Sequence, residues 1–523
     1  MAEKELIFTR KASGLVRELS WWDVLIIAIS APAGSGILYY SVSTASTYPG
    51  ASIPLSFLIG MLIFLPICAV AAIISATMPR AGSLYVSISR VLDPTIGYFA
   101  AFLLFIGYSL SVGVIAYVTI RIIGGILVNS GMASGITPIV TLGTALQTQP
   151  WSTIGGILWV VVIWLISISG VRVFRNVMRI LFIVTGVATF ITILRFFLIS
   201  PSNLQTVFNL WWGVGAYEKI LEAAKANGWG FPTFSWLSTI KALLVVIWAY
   251  GGIEIITYAS GEVKRPTTKA MRGFMLGWLC VGAIYIALAF SVYRAFNGFI
   301  GAYDFLYKNH PDVLKEIMPV VSPSIPFYIA SIIRPPWFGI TIAISLVLWL
   351  VSTMLPYFFG PSRLIFALAM DRAIPERLAD VNPRNGAPTW AVHITAIIAI
   401  IGVILNLLGV KVVLGTIEFA AFFIFWLYGL SAMLLPFRRP EIYENVPIKS
   451  KILGVPAITF WGFLTFAIGW FIVFFTILHM TLVICLVAVA VMLAGMILYF
   501  AQQIRNIRRG VDITKIYSQI PPE

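Results

Sequence analysis

Apolar runs of about 20 residues, separated by short polar clusters, recur along the whole chain. Each is long enough to cross a hydrocarbon core of about 30 Å as a helix. Twelve runs can be delimited: 24–47, 53–77, 95–128, 153–170, 178–200, 237–261, 270–296, 337–368, 389–408, 412–436, 453–477 and 480–504. The pattern predicts an all-α polytopic membrane protein of twelve transmembrane helices. Two runs are interrupted at the depth where a membrane helix should be most regular. Ser30-Ala31-Pro32-Ala33-Gly34-Ser35-Gly36-Ile37 interrupts the first, and Trp248-Ala249-Tyr250-Gly251-Gly252-Ile253-Glu254 interrupts the sixth. Backbone groups freed in hydrocarbon need partners, so such breaks survive only beside protein, water or a ligand.

Alone, the first stretch reads either as a binding break or as a kinked, continuous helix packing through small residues. The second interruption, five spans later, favours a break in both. Inverted repeats of transporters put broken helices at corresponding positions of two halves. Spans one to five and six to ten would be those halves, and an odd number of spans per half reverses the orientation. The expected division is a cytoplasmic segment 1–23, a first five-helix repeat 24–200, an outer loop 201–236, a second repeat 237–436, two extra helices 437–504 and a cytoplasmic tail 505–523.

Composition narrows the class. The 523 residues are 60% hydrophobic and 11% charged, which excludes a soluble protein. The net charge of +15 does not call for nucleic acid, because the basic residues flank the spans. The outer connections near 48–52 and 129–152 hold no lysine or arginine, whereas the alternate ones are basic. The positive-inside rule then puts both termini on the cytoplasmic face of a cell membrane. Residues 1–20 lack the apolar core of a signal peptide. Cys68, Cys280 and Cys485 lie in apolar runs and form neither a disulfide framework nor a metal spacing, so they read as buried small hydrophobes. The longer outer connections, 201–236 and 297–337, have room for short surface helices such as 303–318. Arg121, Arg195, Lys241 and Arg294, near outer span ends, are expected to snorkel.

The candidate chemistry follows from the breaks. A half-helix resuming after Gly34-Ser35-Gly36 would present N–H groups and a positive dipole end to a carboxylate. Half-helices that stop at the breaks would offer carbonyls to an ammonium group or a cation. Together they suit a zwitterion. Glu254 lies eight residues before Glu262, about 12 Å along a helix, and an intramembrane carboxylate reads as proton carrier, gate or counter-charge. Glu418 in the tenth span is a second candidate. His310, His393 and His479 are scattered, and neither a phosphate loop nor a His-Glu-x-x-His pair is present. No enzymatic activity, metal or cofactor is expected.

Three stretches resemble the amino acid–polyamine–organocation (APC) superfamily of permeases. Gly34-Ser35-Gly36-Ile37 is similar to its first-helix motif. Tyr250-Gly251-Gly252-Ile253-Glu254, followed by Gly261-Glu262-Val263-Lys264-Arg265-Pro266, resembles its sixth helix and exit. The run 362–375, Ser-Arg-Leu-Ile-Phe-Ala-Leu-Ala-Met-Asp-Arg-Ala-Ile-Pro, with Val381-Asn382-Pro383-Arg384-Asn385-Gly386-Ala387-Pro388, resembles the signature after its eighth span and is the most specific of the three. The resemblance implies a five-plus-five inverted repeat and alternating-access transport of amino acids or related amines. It implies that Ser30, Ala31, Gly34, Ser35 and Gly36 meet the substrate's ends, and that Trp248, Ala249, Tyr250 and Gly251 supply carbonyls and a lid. Glu254 takes the place of a gating glutamate, and Ser352 and Thr353 that of a cation-like site. Two departures stand out. No lysine lies within the fifth span, and Ala71-Ala72-Ile73-Ile74 stands where a second-helix glutamate is frequent.

The leading expectation is a proton-coupled amino acid permease working through Glu254. The alternatives are sodium coupling through Ser352, Thr353 and first-break carbonyls, exchange of polyamines or other organic cations, and a passive facilitator or channel. Tyr108, Trp248 and Trp426 are candidates for the pocket around the substrate's side chain.

Overall fold

The computed structural model describes residues 8–522 except 11, 265–267, 409 and 480, and describes only the backbone of 133, 268, 408, 410–422, 475–477, 479, 513 and 514. Its helices in chain order are α1 (Trp21–Ser35), α2 (Ile53–Thr77), α3 (Ser83–Val91), α4 (Pro94–Ser134), α5 (Thr137–Gln147), α6 (Trp151–Ile168) and α7 (Val171–Leu198). Then come α8 (Pro201–Trp212), α9 (Ala216–Ala226), α10 (Trp236–Val246), α11 (Thr268–Phe296), α12 (Phe299–Asn309), α13 (Pro311–Ile317) and α14 (Ile325–Ala330). The chain finishes with α15 (Pro336–Met370), α16 (Thr389–Leu405), α17 (Val410–Arg438), α18 (Pro440–Tyr443), α19 (Ala457–His479), α20 (Leu482–Arg508) and α21 (Ile513–Ser518). Among the described residues the only sheet is a two-residue hairpin, Lys451–Ile452 with Val455–Pro456. The protein is all-α and multi-pass. Ten helical segments among the described residues are long and apolar enough to span a membrane, and two shorter apolar ones are Thr389–Leu405 and Phe423–Arg438.

Local chemistry sets the helix starts. The Asp23 carboxylate accepts from Ser20 N–H at 2.7 Å and Ser20 Oγ at 2.6 Å, satisfying groups that the first turn of α1 leaves open. Asp93 is itself the cap residue of α4 and accepts from Thr95 N at 2.7 Å, with Pro94 at the first helical position. The expected surface helix over 303–318 is two helices, α12 and α13, since Pro311 cannot continue the first. The connection near 129–152 is largely helical, as α4 runs on to Ser134 and α5 follows it.

Two populations of helix result. In the spans Trp21–Tyr40 and Pro94–Met132, 83% and 78% of an 18-residue apolar stretch is buried within the protein, whereas in Val171–Leu198 and Leu482–Arg508 the share is 28% and 22%. Large apolar side chains such as Ile183, Phe190, Ile497 and Leu482 therefore point outward, as lipid requires and water would not tolerate. Between α17 and α19 the backbones touch through glycine: a Cβ on Gly429 would stand 2.3 Å from Phe466 N. Small residues allow this approach where no hydrophobic effect drives helices together. Cys68 is buried as expected, but Cys280 and Cys485 are only half-buried.

Candidate functional site

The first span corrects the expectation of an unwound break. The chain stays helical through Ser35 with Pro32 inside, and then widens into a π-helical turn over Gly36–Tyr40 before leaving the helix. Its freed groups are met by side chains from other helices. Thr353 Oγ1 donates to Ser30 O at 2.8 Å and accepts from Gly34 N at 3.0 Å. Tyr285 OH lies 2.8 Å from Pro32 O. Gly34 N–H is thus engaged by a hydroxyl rather than free for a carboxylate, while Ser30 Oγ is buried without a partner. Gly36 packs so closely that a Cβ there would stand 2.4 Å from the Tyr285 ring. Beyond the π-turn the chain is caught by α12: Asp304 accepts from Ser46 N at 2.9 Å, and Lys308 Nζ donates to Ser43 O at 2.6 Å.

The sixth span does lose its regular helix. α10 ends at Val246, the backbone tightens into a 3₁₀ turn over Ile247–Tyr250, and it turns at Gly251-Gly252. Gly252 has φ +91°, and a Cβ there would stand 2.3 Å from the Tyr357 hydroxyl, so both conformation and space demand glycine. A second 3₁₀ segment, Ile253–Tyr258, follows. Tyr357 OH donates to Gly251 O at 3.1 Å, and the Tyr285 hydroxyl reaches Ala249 O at 2.7 Å. Tyr285 therefore touches carbonyls of both irregular stretches with one proton to share. Sequence reasoning missed it. A tyrosine in an apolar span carries no signal by itself that its hydroxyl will serve two other spans.

Glu254 sits on the second 3₁₀ segment and is 1% exposed. One carboxyl oxygen accepts a hydrogen bond from Tyr108 and another from Tyr258 at 3.4 Å. The other oxygen, Oε2, has no partner, and among the described residues no cation lies within ion-pair distance. The Tyr108 ring stands edge-on to Tyr357 at 4.8 Å. The structure thus brings Tyr108 to the site, but Trp426 packs against Phe423 and Phe466 at the interface of α17 with α19. Ala249 and Tyr250 are buried, and Tyr250 OH donates to Phe57 O at 2.8 Å. Ser352 Oγ is buried and unpartnered, whereas Thr353 is spent on the first span. Glu418 lies outside the residues whose side chains are described.

Toward the end of the bundle where both termini pack, two buried ion pairs close the structure. Arg363 donates to Glu262 through Nε at 2.6 Å and Nη2 at 3.3 Å, both residues being almost wholly buried. Arg90 pairs with Asp371, which also accepts from Tyr85 OH at 2.7 Å. Glu18 gathers Arg172, Arg175 and Lys264 at the surface. Its carboxyl is held below the ordinary value, chiefly by the hydrogen bond from Arg172. Arg90 belongs to one of the basic connections that flank the spans. The usable signal was Arg363, an arginine inside an apolar run and so in need of a carboxylate.

An all-helical bundle with lipid-facing outer helices, an irregular pair of inner spans and, on one of them, a buried carboxyl group without a cation beside it among the described residues is the architecture expected of a membrane transporter. Residues 19–501 match the amino acid permease family, and the chain belongs to that family, within the APC superfamily. It is 23% identical to the branched-chain amino acid permease BcaP of Bacillus subtilis over 474 residues, covering 88% of this chain and 90% of that protein. It is 25% identical to the methylthioribose transporter of the same organism, covering 89% and 94%. It is 24% identical to BcaP of Lactococcus lactis, covering 72% and 74%. The family is one of permeases, so the protein is a multi-pass permease and not an enzyme.

Proposed function

We propose that this protein is a secondary active amino acid transporter of the cytoplasmic membrane, with twelve spans, both termini inside, and proton coupling through Glu254. The observation that carries the reading is Glu254 itself: a buried carboxyl group on an irregular span, one oxygen held by two tyrosines and the other open. Such a group can exchange a proton without breaking the contacts that position it. Spans one to five and six to ten act as inverted halves, with the irregular stretches near 30–40 and 247–258 meeting through Tyr285. In this conformation Thr353 holds the Gly34 N–H; a substrate carboxylate takes over that donor when it binds, with Ser30, Ala31, Ser35 and Gly36 around it. Trp248, Ala249, Tyr250 and Gly251 face the rest of the substrate. Amino acids are favoured over amines because the family and two of the relatives are amino acid permeases.

Sodium coupling at Ser352 and Thr353 is the weaker reading, since the Thr353 hydroxyl already serves Ser30 and Gly34. The decisive experiment is uptake into proteoliposomes under an imposed proton gradient, with unlabelled amino acids, polyamines and methylthioribose as competitors. Glu254→Gln should still bind and exchange substrate but no longer accumulate it against a gradient. Gradient-driven accumulation by that variant would remove Glu254 from the coupling, and saturable uptake abolished in sodium-free buffer would reinstate sodium.

A further inference from the structure

Three arginines at the termini-bearing end of the bundle each donate one guanidinium N–H to the main chain of one short segment. Arg439 Nη2 donates to Ser518 O at 2.9 Å, Arg90 Nε to Gln519 O at 3.1 Å and Arg80 Nε to Pro521 O at 2.7 Å. α21 brings Tyr517 over the Arg90 guanidinium at 5.1 Å, with its hydroxyl 3.4 Å from that of Tyr85. Ile516 and Tyr517 are 1% and 6% exposed. The partners are carbonyls rather than side chains, so the groove reads a peptide backbone with one apolar and one aromatic anchor. It is built from helix α3, the link before it and Arg439 between α17 and α18.

The groove also touches the sixth and eighth spans. The other nitrogens of Arg90 bind Asp371, at the end of α15. Arg80 leads directly into Ala81 and Gly82, which pair with the sixth span: Gly82 N donates to Tyr258 O at 2.8 Å, and Ala81 bridges Ala259. That contact lies four residues beyond Glu254. A cavity of about 130 Å³ separates the tail from this link, bounded by Arg80, Ala81, Gly261, Met370, Pro521 and Pro522. The tail thus covers the inner end of the sixth span without filling the space over it.

We infer that residues 513–522 are a releasable latch, an internal peptide ligand whose seat on Arg80, Arg90 and Arg439 holds the inner end of the sixth span closed. The last turn of α20 is anchored independently, with Asn506 Nδ2 donating to Arg372 O at 2.7 Å and Arg509 3.5 Å from Glu376. Removing the latch therefore leaves the bundle tied. The inference concerns opening of this end and is tested without transport, so it can fail while the amino acid reading stands.

The test uses full-length protein in detergent with Cys68, Cys280 and Cys485 replaced by serine and Ser83→Cys as reporter, a wholly buried position beside Gly82. Maleimide labelling should be slow in this protein. It should be about ten-fold faster when the chain is ended after Asp512, as expected when contacts favouring one state are removed. Tyr517→Ala should give an intermediate rate, and a synthetic peptide of residues 511–523 should return the shortened protein to slow labelling. Equal rates in full-length and shortened protein would overturn the latch, as would acceleration that the peptide does not reverse. Should the shortened protein fail to fold, Tyr517→Ala decides, and labelling at the parental rate in that variant overturns the inference equally.

Discussion

Thr353→Val isolates the contact on which the irregular first span depends. Valine matches threonine in shape, so the space beside Gly34 stays filled and the hydroxyl is lost. Two buried backbone groups then lose their partner: Ser30 O, which accepts from Oγ1 at 2.8 Å, and Gly34 N, which donates to it at 3.0 Å. The two groups stand one helical turn apart, and bonding to each other in place of the hydroxyl is the relaxation open to them. Leaving a buried polar group unpaired costs about 1–3 kcal/mol, so the pair together costs about 2–4 kcal/mol once partial relaxation is allowed. On the unfolding entropy usual per residue, a chain of this length shifts by about 1 °C per kcal/mol, giving a fall of about 2–4 °C in thermal midpoint. The assay is thermal unfolding of the detergent-solubilised protein followed by tryptophan fluorescence, with Thr353→Ser as the control that retains the hydroxyl and stays near wild type. An unchanged midpoint in Thr353→Val would falsify the account, since Ser30 O and Gly34 N would then be satisfied without the hydroxyl, by each other across one helical turn or by water.

The remaining predictions address the sixth span and the closed end. Gly252→Ala should abolish uptake while the protein still reaches the membrane, because alanine must adopt φ +91° and push into Tyr357; uptake at the wild-type rate would show that this turn is rebuilt freely. Glu262→Gln leaves the buried Arg363 guanidinium without its carboxylate and should destabilise by about 3–5 kcal/mol, with the double replacement Glu262→Gln/Arg363→Met recovering part of the loss. Additive losses in that cycle would mean the two residues do not act as a pair. Glu18 titrates below the ordinary carboxylate value because Arg172 donates to it. A lowered folded value means its attachment is complete above the unfolded value and is lost as pH falls through the folded one. Limited proteolysis of the N-terminal segment should therefore accelerate on acidification, and Arg172→Ala should move that acceleration to higher pH; a profile unmoved by the substitution would place the acid-sensitive contact elsewhere.

Much of the fold was legible from the apolar runs, since the need to satisfy every backbone group in hydrocarbon leaves a helix as the way to span it. The boundaries 53–77 and 270–296 fall within a few residues of α2 and α11 for that reason. Positions of irregular backbone were also legible, from Pro32 and the Gly251-Gly252 pair, as was the intramembrane carboxylate Glu254. Their forms were not. Proline and glycine loosen a helix, but whether it unwinds or merely widens depends on what stands opposite. Tyr285 and Thr353 stand opposite the first span, more than 250 residues away in sequence, and they keep it helical. Opposite the sixth, Tyr357 occupies the space that a continuous helix would need. The partners of Glu254, Glu262 and Asp371 are likewise settled by how distant spans dock. Helical periodicity reports which face of a segment is apolar, and within a membrane every face is apolar. Which polar atom meets which was therefore decided by tertiary packing alone.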